Sequence, residues 1–166
     1  MNTIVKAGVL LGVLCCVWTL VMGFSGWYKD SGMTNLFFLV IVIQIAVLIW
    51  ALRQTAAQGR GYGGQVVAGT LISGIGGLVI VAGSMLVTTV VFPSWLSDVR
   101  AMQEQALRAK GMSDADVRQM LDMAAKGMTP IGQAIAGFIG TMVTGVCASL
   151  LIAVFVRARP AKVAVA

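Results

Sequence analysis

Residues 65–92, QVVAGTLISGIGGLVIVAGSMLVTTVVF, run for 28 positions without one charged side chain. Crossing the ~30 Å hydrocarbon core of a bilayer takes about 20 helical residues. This stretch therefore spans with length to spare and must tilt or project past the surface. Three other charge-free stretches share its character: 7–24, 36–52 and 131–156, of 18, 17 and 26 residues. A backbone in lipid must satisfy its own hydrogen bonds, and a helix does so within one segment. The expectation is an all-α protein, one integral membrane domain over 1–166 built as a four-helix bundle. The two shorter stretches sit near the lower limit and should extend into their flanks.

Composition agrees. Of 166 residues, 58% are hydrophobic and 11% charged, against about 25% charged in an average soluble domain. Mean hydropathy is +0.92. Such a chain is not a soluble enzyme domain, a disordered tail or a secreted disulfide scaffold. The 12 Lys+Arg and 6 Asp+Glu leave a net charge of +6. The basic residues are scattered singles, so they suit anionic lipid headgroups rather than nucleic acid. Arg53, Arg60, Arg157 and Arg159 hug helix ends and are the headgroup candidates. Lys/Arg numbers tie across the membrane, but those in 1–6, 53–64 and 157–166 are denser and come without an acid. The positive-inside bias then places both termini in the cytoplasm. The first apolar run exceeds the ~7–15 residues of a signal-peptide core, so it reads as a retained helix.

The polar segment 94–128 reads as two short amphipathic helices forming an outer cap. Pro93 stops the third span and Ser94 can cap a new helix, on which Trp95, Val99 and Met102 recur at helical spacing. Gly111 breaks it. Ser113, with Asp116 three residues on, forms a variant capping box, and Val117, Met120 and Leu121 form the second apolar stripe. Asp114, Arg118, Asp122 and Lys126 suggest an i,i+4 ladder of alternating sign. Thr129 and Pro130 supply the cap and first position of the fourth span. Trp27, Tyr28, Trp95, Trp50 and Tyr62 fall at span ends, as an interfacial aromatic belt does, while Trp18 lies inside a span and needs a partner for its N–H.

Inside the membrane the plainest pattern is small residues spaced by four. The first span has Gly8, Gly12 and Cys16; the third has Gly69, Ser73 and Gly77. The fourth has two rows, Gly132/Ala136/Gly140/Thr144/Ala148 and Gly137/Thr141/Gly145/Ser149. Such rows let helices approach closely where lipid offers no hydrophobic drive. Packing within the bundle is the expected use. A sharper expectation gives one fourth-helix row to a membrane-protein partner or a second copy. Hydroxyls that bond back to carbonyls one turn earlier tolerate lipid, which nominates the Gly137/Thr141/Gly145/Ser149 row as external.

Chemistry is harder to find. The chain has no His, the one side chain that titrates near neutrality unperturbed. No Asp, Glu, Lys or Arg falls inside a span, where such residues would mark ion or proton paths. Gln44 and Gln133 are the large polar groups there, and Gln44 is expected to hydrogen-bond across helices. Cys15, Cys16 and Cys147 lack metal-ligand spacing and read as packing residues. Met102, Met112, Met120, Met123 and Met128 could hold Cu(I), but adaptable packing explains them better. The loop Gly59–Gly64 lacks the Lys-Ser/Thr of a phosphate loop and reads as a turn. No catalytic residue, cofactor or metal site is expected.

The run Lys110-Gly111-Met112-Ser113-Asp114-Ala115-Asp116, leading through Met120 and Met123 to Met128-Thr129-Pro130, resembles the domain-of-unknown-function 4199 family of four-helix membrane proteins. A basic, glycine-rich turn before the third helix, Arg60 to Gln65 here, is a second likeness. The resemblance implies a bacterial inner-membrane protein and implies no activity. Two functions fit. One is a non-enzymatic scaffold or accessory subunit; the other is a small carrier or pore for a neutral or lipophilic substrate. A dry interior favours the first, and a bound lipid or tunnel the second.

Overall fold

The computed structural model describes residues 2–30 and 32–156, so Arg157 and Arg159, the two C-terminal headgroup candidates, lie outside the described residues. Among the described residues, four helices are long and apolar enough to cross a membrane. They are α1 (Thr3–Ser25), α2 (Leu39–Ala57), α3 (Tyr62–Leu86) and α6 (Pro130–Val156). Between the last two stand α4 (Trp95–Ala109) and α5 (Asp114–Ala125). The short expected spans do extend, α1 back to Thr3 and α2 on to Ala57. A 3-10 segment, Thr34–Phe38, leads into α2, and a π-helical turn, Val87–Val91, ends the third span. The spans run up and down. Thr3, Gln58, Thr55 and Gln65 meet at one end, and the α4–α5 pair stands at the other, the cap end.

Glycine decides the packing. α3 is central, with α1 along one side and α6 along the other, while α2 closes the ring against α1 and α6. A Cβ built on Gly8 or Gly12 would come within 3.0 Å of the Ile72 carbonyl oxygen or 2.9 Å of that of Gly76. In return Gly76 lies under Leu11. Only a residue without a side chain lets two backbones approach this far, and dispersion and Cα–H···O contacts hold them there. The α3–α6 seam is reciprocal. Ser149 fills the notch at Gly69, and Ser73 fills the notch at Gly145. The rows on the first and third spans thus pack the bundle, as expected.

The assignment on the fourth span is reversed. Gly145 and Ser149, expected on an external face, are buried against α3. Gly140, expected in the seam, is exposed and has nothing within 4 Å of where a side chain would begin. The reason is helical drift. Each residue turns the helix by about 100°, so positions four apart advance by about 40°. A row of four such positions wraps through roughly a third of a turn. Gly145 and Ser149 consequently point into the α3 seam, while Gly137, 3.6 Å from Ile80 of α3, and Thr141 sit at its margin. The two hydroxyls do bond back one turn, to Gly137 O at 2.8 Å and Gly145 O at 2.6 Å. In Ser149 that bond permits burial in protein rather than exposure to lipid.

The cap forms with two changes. Ser113 Oγ accepts from Asp116 N–H and donates to the Asp116 carboxylate, Gly111 breaks the chain at φ 77°, and Thr129 Oγ1 accepts from Gly132 N–H at 2.9 Å. Ser94, however, makes no capping bond and gives its hydroxyl to Asp98 instead. The expected ladder along α5 is replaced by pairs to α4: Asp114 bonds Arg108 at 2.8 Å and Asp122 bonds Arg100 at 3.6 Å. Folding α5 back on α4 places Arg108 and Arg100 within reach of these carboxylates, so they pair across the hairpin. Val117 and Leu121 are buried, Val99 and Met102 half-buried, and Met120 is exposed rather than packed.

Candidate functional site

The two ends of the bundle differ. At the terminal end α2 lies tight on the others, with Leu48, Leu52, Thr55 and Gln65 buried. There Thr55 Oγ1 donates to Gln65 Oε1 at 2.6 Å. Toward the cap the helices part around a cavity of about 470 Å³. Small side chains make the space. Ala136, Gly137 and Gly140 of α6 form one wall, Cys15 and Thr19 of α1 another, and Val40 and Ile41 of α2 and Ile80 and Ser84 of α3 the rest. Phe37, Phe38, Ala136 and Gly140 are exposed, so the cavity is not sealed. The volume lies within the ~300–1,000 Å³ of small-molecule sites.

Its floor is polar but internally satisfied. Gln44 is 4% exposed. Its Nε2 donates to the Thr141 carbonyl at 2.7 Å, and its Oε1 accepts from Thr144 Oγ1 at 2.7 Å. The expected cross-helix bond of Gln44 is therefore present and ties α2 to α6. A primary amide in hydrocarbon without such partners would cost several kcal/mol.

Its roof belongs to the cap end. The π turn ends with Phe92 N–H donating to Val87 O at 2.8 Å, a five-residue ring. It accommodates an extra residue before Pro93, and it carries Val87 and Thr88 into the cavity wall. Trp95 and Gln133 complete the roof. Trp95 is gripped from outside, stacked on Tyr28 with centroids 4.0 Å apart and planes 7° apart. Around them pack Met22, Val87 and Phe92. Tyr28 and Trp95 are both buried, which corrects their place in the aromatic belt; Trp27, Trp50 and Tyr62 stay exposed as expected. Trp18 finds its partner in the Leu36 carbonyl, 3.1 Å from Nε1.

A cluster of hydrogen bonds with one ion pair borders the roof. Tyr28 donates its hydroxyl to Asp98 Oδ2 at 2.7 Å, and Lys29 Nζ reaches the same oxygen at 2.9 Å. The Lys29 ammonium, then the Tyr28 and Ser94 hydroxyls, hold the Asp98 carboxyl below its ordinary range. Bonding to Asp98 pushes Lys29 up, and burial with the Asp98 bond pushes Tyr28 up. A lowered carboxyl stabilises the docked state above its unfolded value, about 3.9, and that contribution is lost as pH falls through the folded value. The raised groups act in reverse, contributing below about pH 10 and losing it on further rise. In a variant keeping Trp95 as its one tryptophan, emission should stay flat between these limits and shift red in acid. Asp98→Asn should remove the acid limb; an unchanged limb would assign it to another carboxylate.

Sequence reasoning found the separate parts of this site without assembling them. Gly140, Ala136, Gly137 and Thr141 were singled out for contact with another helix, yet they line space. Gln44 and Gln133 were singled out only as polar. Of the headgroup candidates, Arg53 is exposed and Arg60 half-buried in the α2–α3 turn, both far along the chain from the cavity walls. Gly132 packs on the turn at Gly127 and Thr129. Cys147 is exposed, while Cys15 is a packing residue as expected.

The fold and cavity define a multi-span α-helical membrane protein, close-packed at one end and hollow at the other. The chain belongs to the family described as a protein of unknown function (DUF4199), whose model matches residues 6–158. No curated protein and no solved structure matches it.

Proposed function

We propose that this is a non-enzymatic membrane protein that binds a neutral, largely apolar molecule in the cap-end cavity, as a carrier or lipid-binding component does. The observation that carries the reading is the cavity itself. It lies between spanning helices, is walled mainly by apolar side chains, and has no Asp, Glu, Lys or Arg among the described residues of its lining. Of the two functions the sequence allowed, the hollow interior supports the second over the scaffold. The direct test is lipid analysis by mass spectrometry after gentle extraction. Wild-type protein should carry a stoichiometric lipophile, and Gly140→Phe, whose ring enters open space, should lose it while keeping its helical content. Equal lipid in the two would remove the proposal.

We further propose the bacterial inner membrane as its location, with the termini in the cytoplasm and the cap outside. The denser, acid-free positive charge at the terminal end supports this orientation. A cysteine at position 119, in a cysteine-free background, should react with an impermeant thiol reagent added to intact cells, and one at position 58 should not. The converse labelling would invert the orientation.

A further inference from the structure

We propose that the deep half of the cavity selects a neutral lipid bearing a hydroxyl group, because the polar atoms lining it offer acceptors whose own hydrogens are already spent. The inference rests on the lipid-binding reading above and adds the chemistry of the ligand.

A threonine hydroxyl has one hydrogen to give and two lone pairs to receive. Thr19 gives its hydrogen to Cys15 O at 2.9 Å, and Thr141 gives its own to Gly137 O at 2.8 Å. Thr144 gives its hydrogen to Gln44 Oε1 at 2.7 Å, and Thr88, nearer the roof, to Ser84 O at 2.8 Å. All four line the cavity. Gln44 has committed one of its two amide hydrogens. Its Nε2 is bonded to the Thr141 carbonyl and lies 2.7 Å from where a Gly145 Cβ would stand, in the seam rather than the cavity. What the deep walls present to an occupant is therefore lone pairs. Uncommitted side-chain donors among the described lining residues sit toward the roof, at Ser84, Gln133 and the Trp95 indole N–H, with the weakly donating Cys15 thiol at the level of Ser84.

Ligand chemistry follows. A hydroxyl on the buried part of the ligand donates to Thr141 or Thr144, the two deep hydroxyls, without breaking a bond already made. An ether, ester or ketone there sets its lone pairs against theirs, or makes a threonine abandon its carbonyl. A carboxylate or ammonium would be buried with no opposite charge beside it. Sites that bond a substrate hydroxyl discriminate sharply against analogues lacking it, because a polar group is otherwise left unpaired.

The test uses the full chain in lauryldimethylamine oxide, a detergent without a hydroxyl group. Hexadecan-1-ol, its methyl ether and chain-deuterated palmitate, whose label separates it from the otherwise isobaric ether, are mixed at equal concentration, and adducts are counted by native mass spectrometry. One additional hydrogen bond corresponds to about fivefold in affinity, so alcohol adducts should exceed ether adducts by about that factor and palmitate by more. Thr141→Val, which keeps shape, leaves the carbonyl that Gln44 bonds and removes a deep hydroxyl acceptor, should bring the alcohol-to-ether ratio toward one. That ratio is internal to each sample, so a partly misfolded preparation does not mimic the effect. Equal alcohol and ether adducts that both vanish in Gly140→Phe would overturn the hydroxyl preference and leave the cavity as a lipid site. Palmitate in excess would overturn the preference as well. Adducts of none of the three, or adducts unaffected by Gly140→Phe, would overturn both readings.

Discussion

Gly145→Leu should not yield a folded protein, and Gly140→Leu, five residues earlier on the same helix, should. A Cβ on Gly145 would fall 2.5 Å from Ser73 Cβ and 2.7 Å from Gln44 Nε2, and it overlaps Ser73 Oγ. Ser73 stands on α3, and Gln44 holds α2 to α6, so the intrusion pushes on two neighbours at once. Overpacking by a methylene or two costs about 1–3 kcal/mol in a well-packed core. Four added carbons at a helix crossing should exceed that range. The loss is comparable with the ~5–15 kcal/mol that holds a typical domain together. Gly140 has nothing within 4 Å of the same position, so its leucine enters open space. Size-exclusion profiles of the two detergent-extracted variants check this. A graded version lies one turn on: Gly69→Ala meets Ser149 Cβ at 2.6 Å. Adding Ser149→Gly moves the small residue to the other helix and should restore most of the melting temperature. Equal profiles for the two leucine variants, or no rescue by the swap, would mean that the α3–α6 seam is not built this way.

That pair also shows where sequence reading stopped. Period and charge located the four spans, because 28 uncharged residues at 65–92 admit few other structures. Glycines 8, 12, 69 and 77 were legible as close-contact positions, since a backbone approach leaves no choice of residue. The facing of α6 was not legible. Spacing by four is only nearly a helical repeat, and the drift of about 40° per step buried Gly145 in the α3 seam while leaving Gly137 at the cavity margin. Nor did the sequence announce the cavity. It depends on where α2 departs from α3, which is set by the sum of side-chain sizes on facing helices rather than by any motif. The cap's charges failed for a related reason. Asp114 and Asp122 have partners at i,i+4 on their own helix, yet α4 supplies Arg108 and Arg100 across the hairpin, and a linear pattern does not record that fold-back.

The cap itself supplies the second large effect: Trp95→Ala should undock α4 while leaving the four spans assembled. Trp95 is the one buried residue of α4. It stacks on Tyr28, contacts the Phe92 ring at 6.2 Å between centroids, and roofs the cavity. The remaining tie nearby is the Asp98 cluster, whose Lys29 side chain is 55% exposed and whose ion pair is accordingly of little worth. Truncating a buried tryptophan costs about 3–5 kcal/mol. Few other contacts share the load, so that cost falls on docking rather than on the bundle, where α1, α3 and α6 meet through their own glycines and serines. About 3 kcal/mol is roughly a hundredfold in the open fraction. Proteolytic cutting between α4 and α5 should accelerate by that order where opening is fast relative to cleavage. Met120→Ala, at an exposed position of α5, should leave the rate alone. The same variant tests whether the roof retains the ligand, since an undocked Trp95 opens the cavity toward the cap end. Release of bound lipid should then quicken, without the complete exclusion expected of Gly140→Phe. Unchanged proteolysis in Trp95→Ala would show that something other than the Tyr28 stack holds the cap in place.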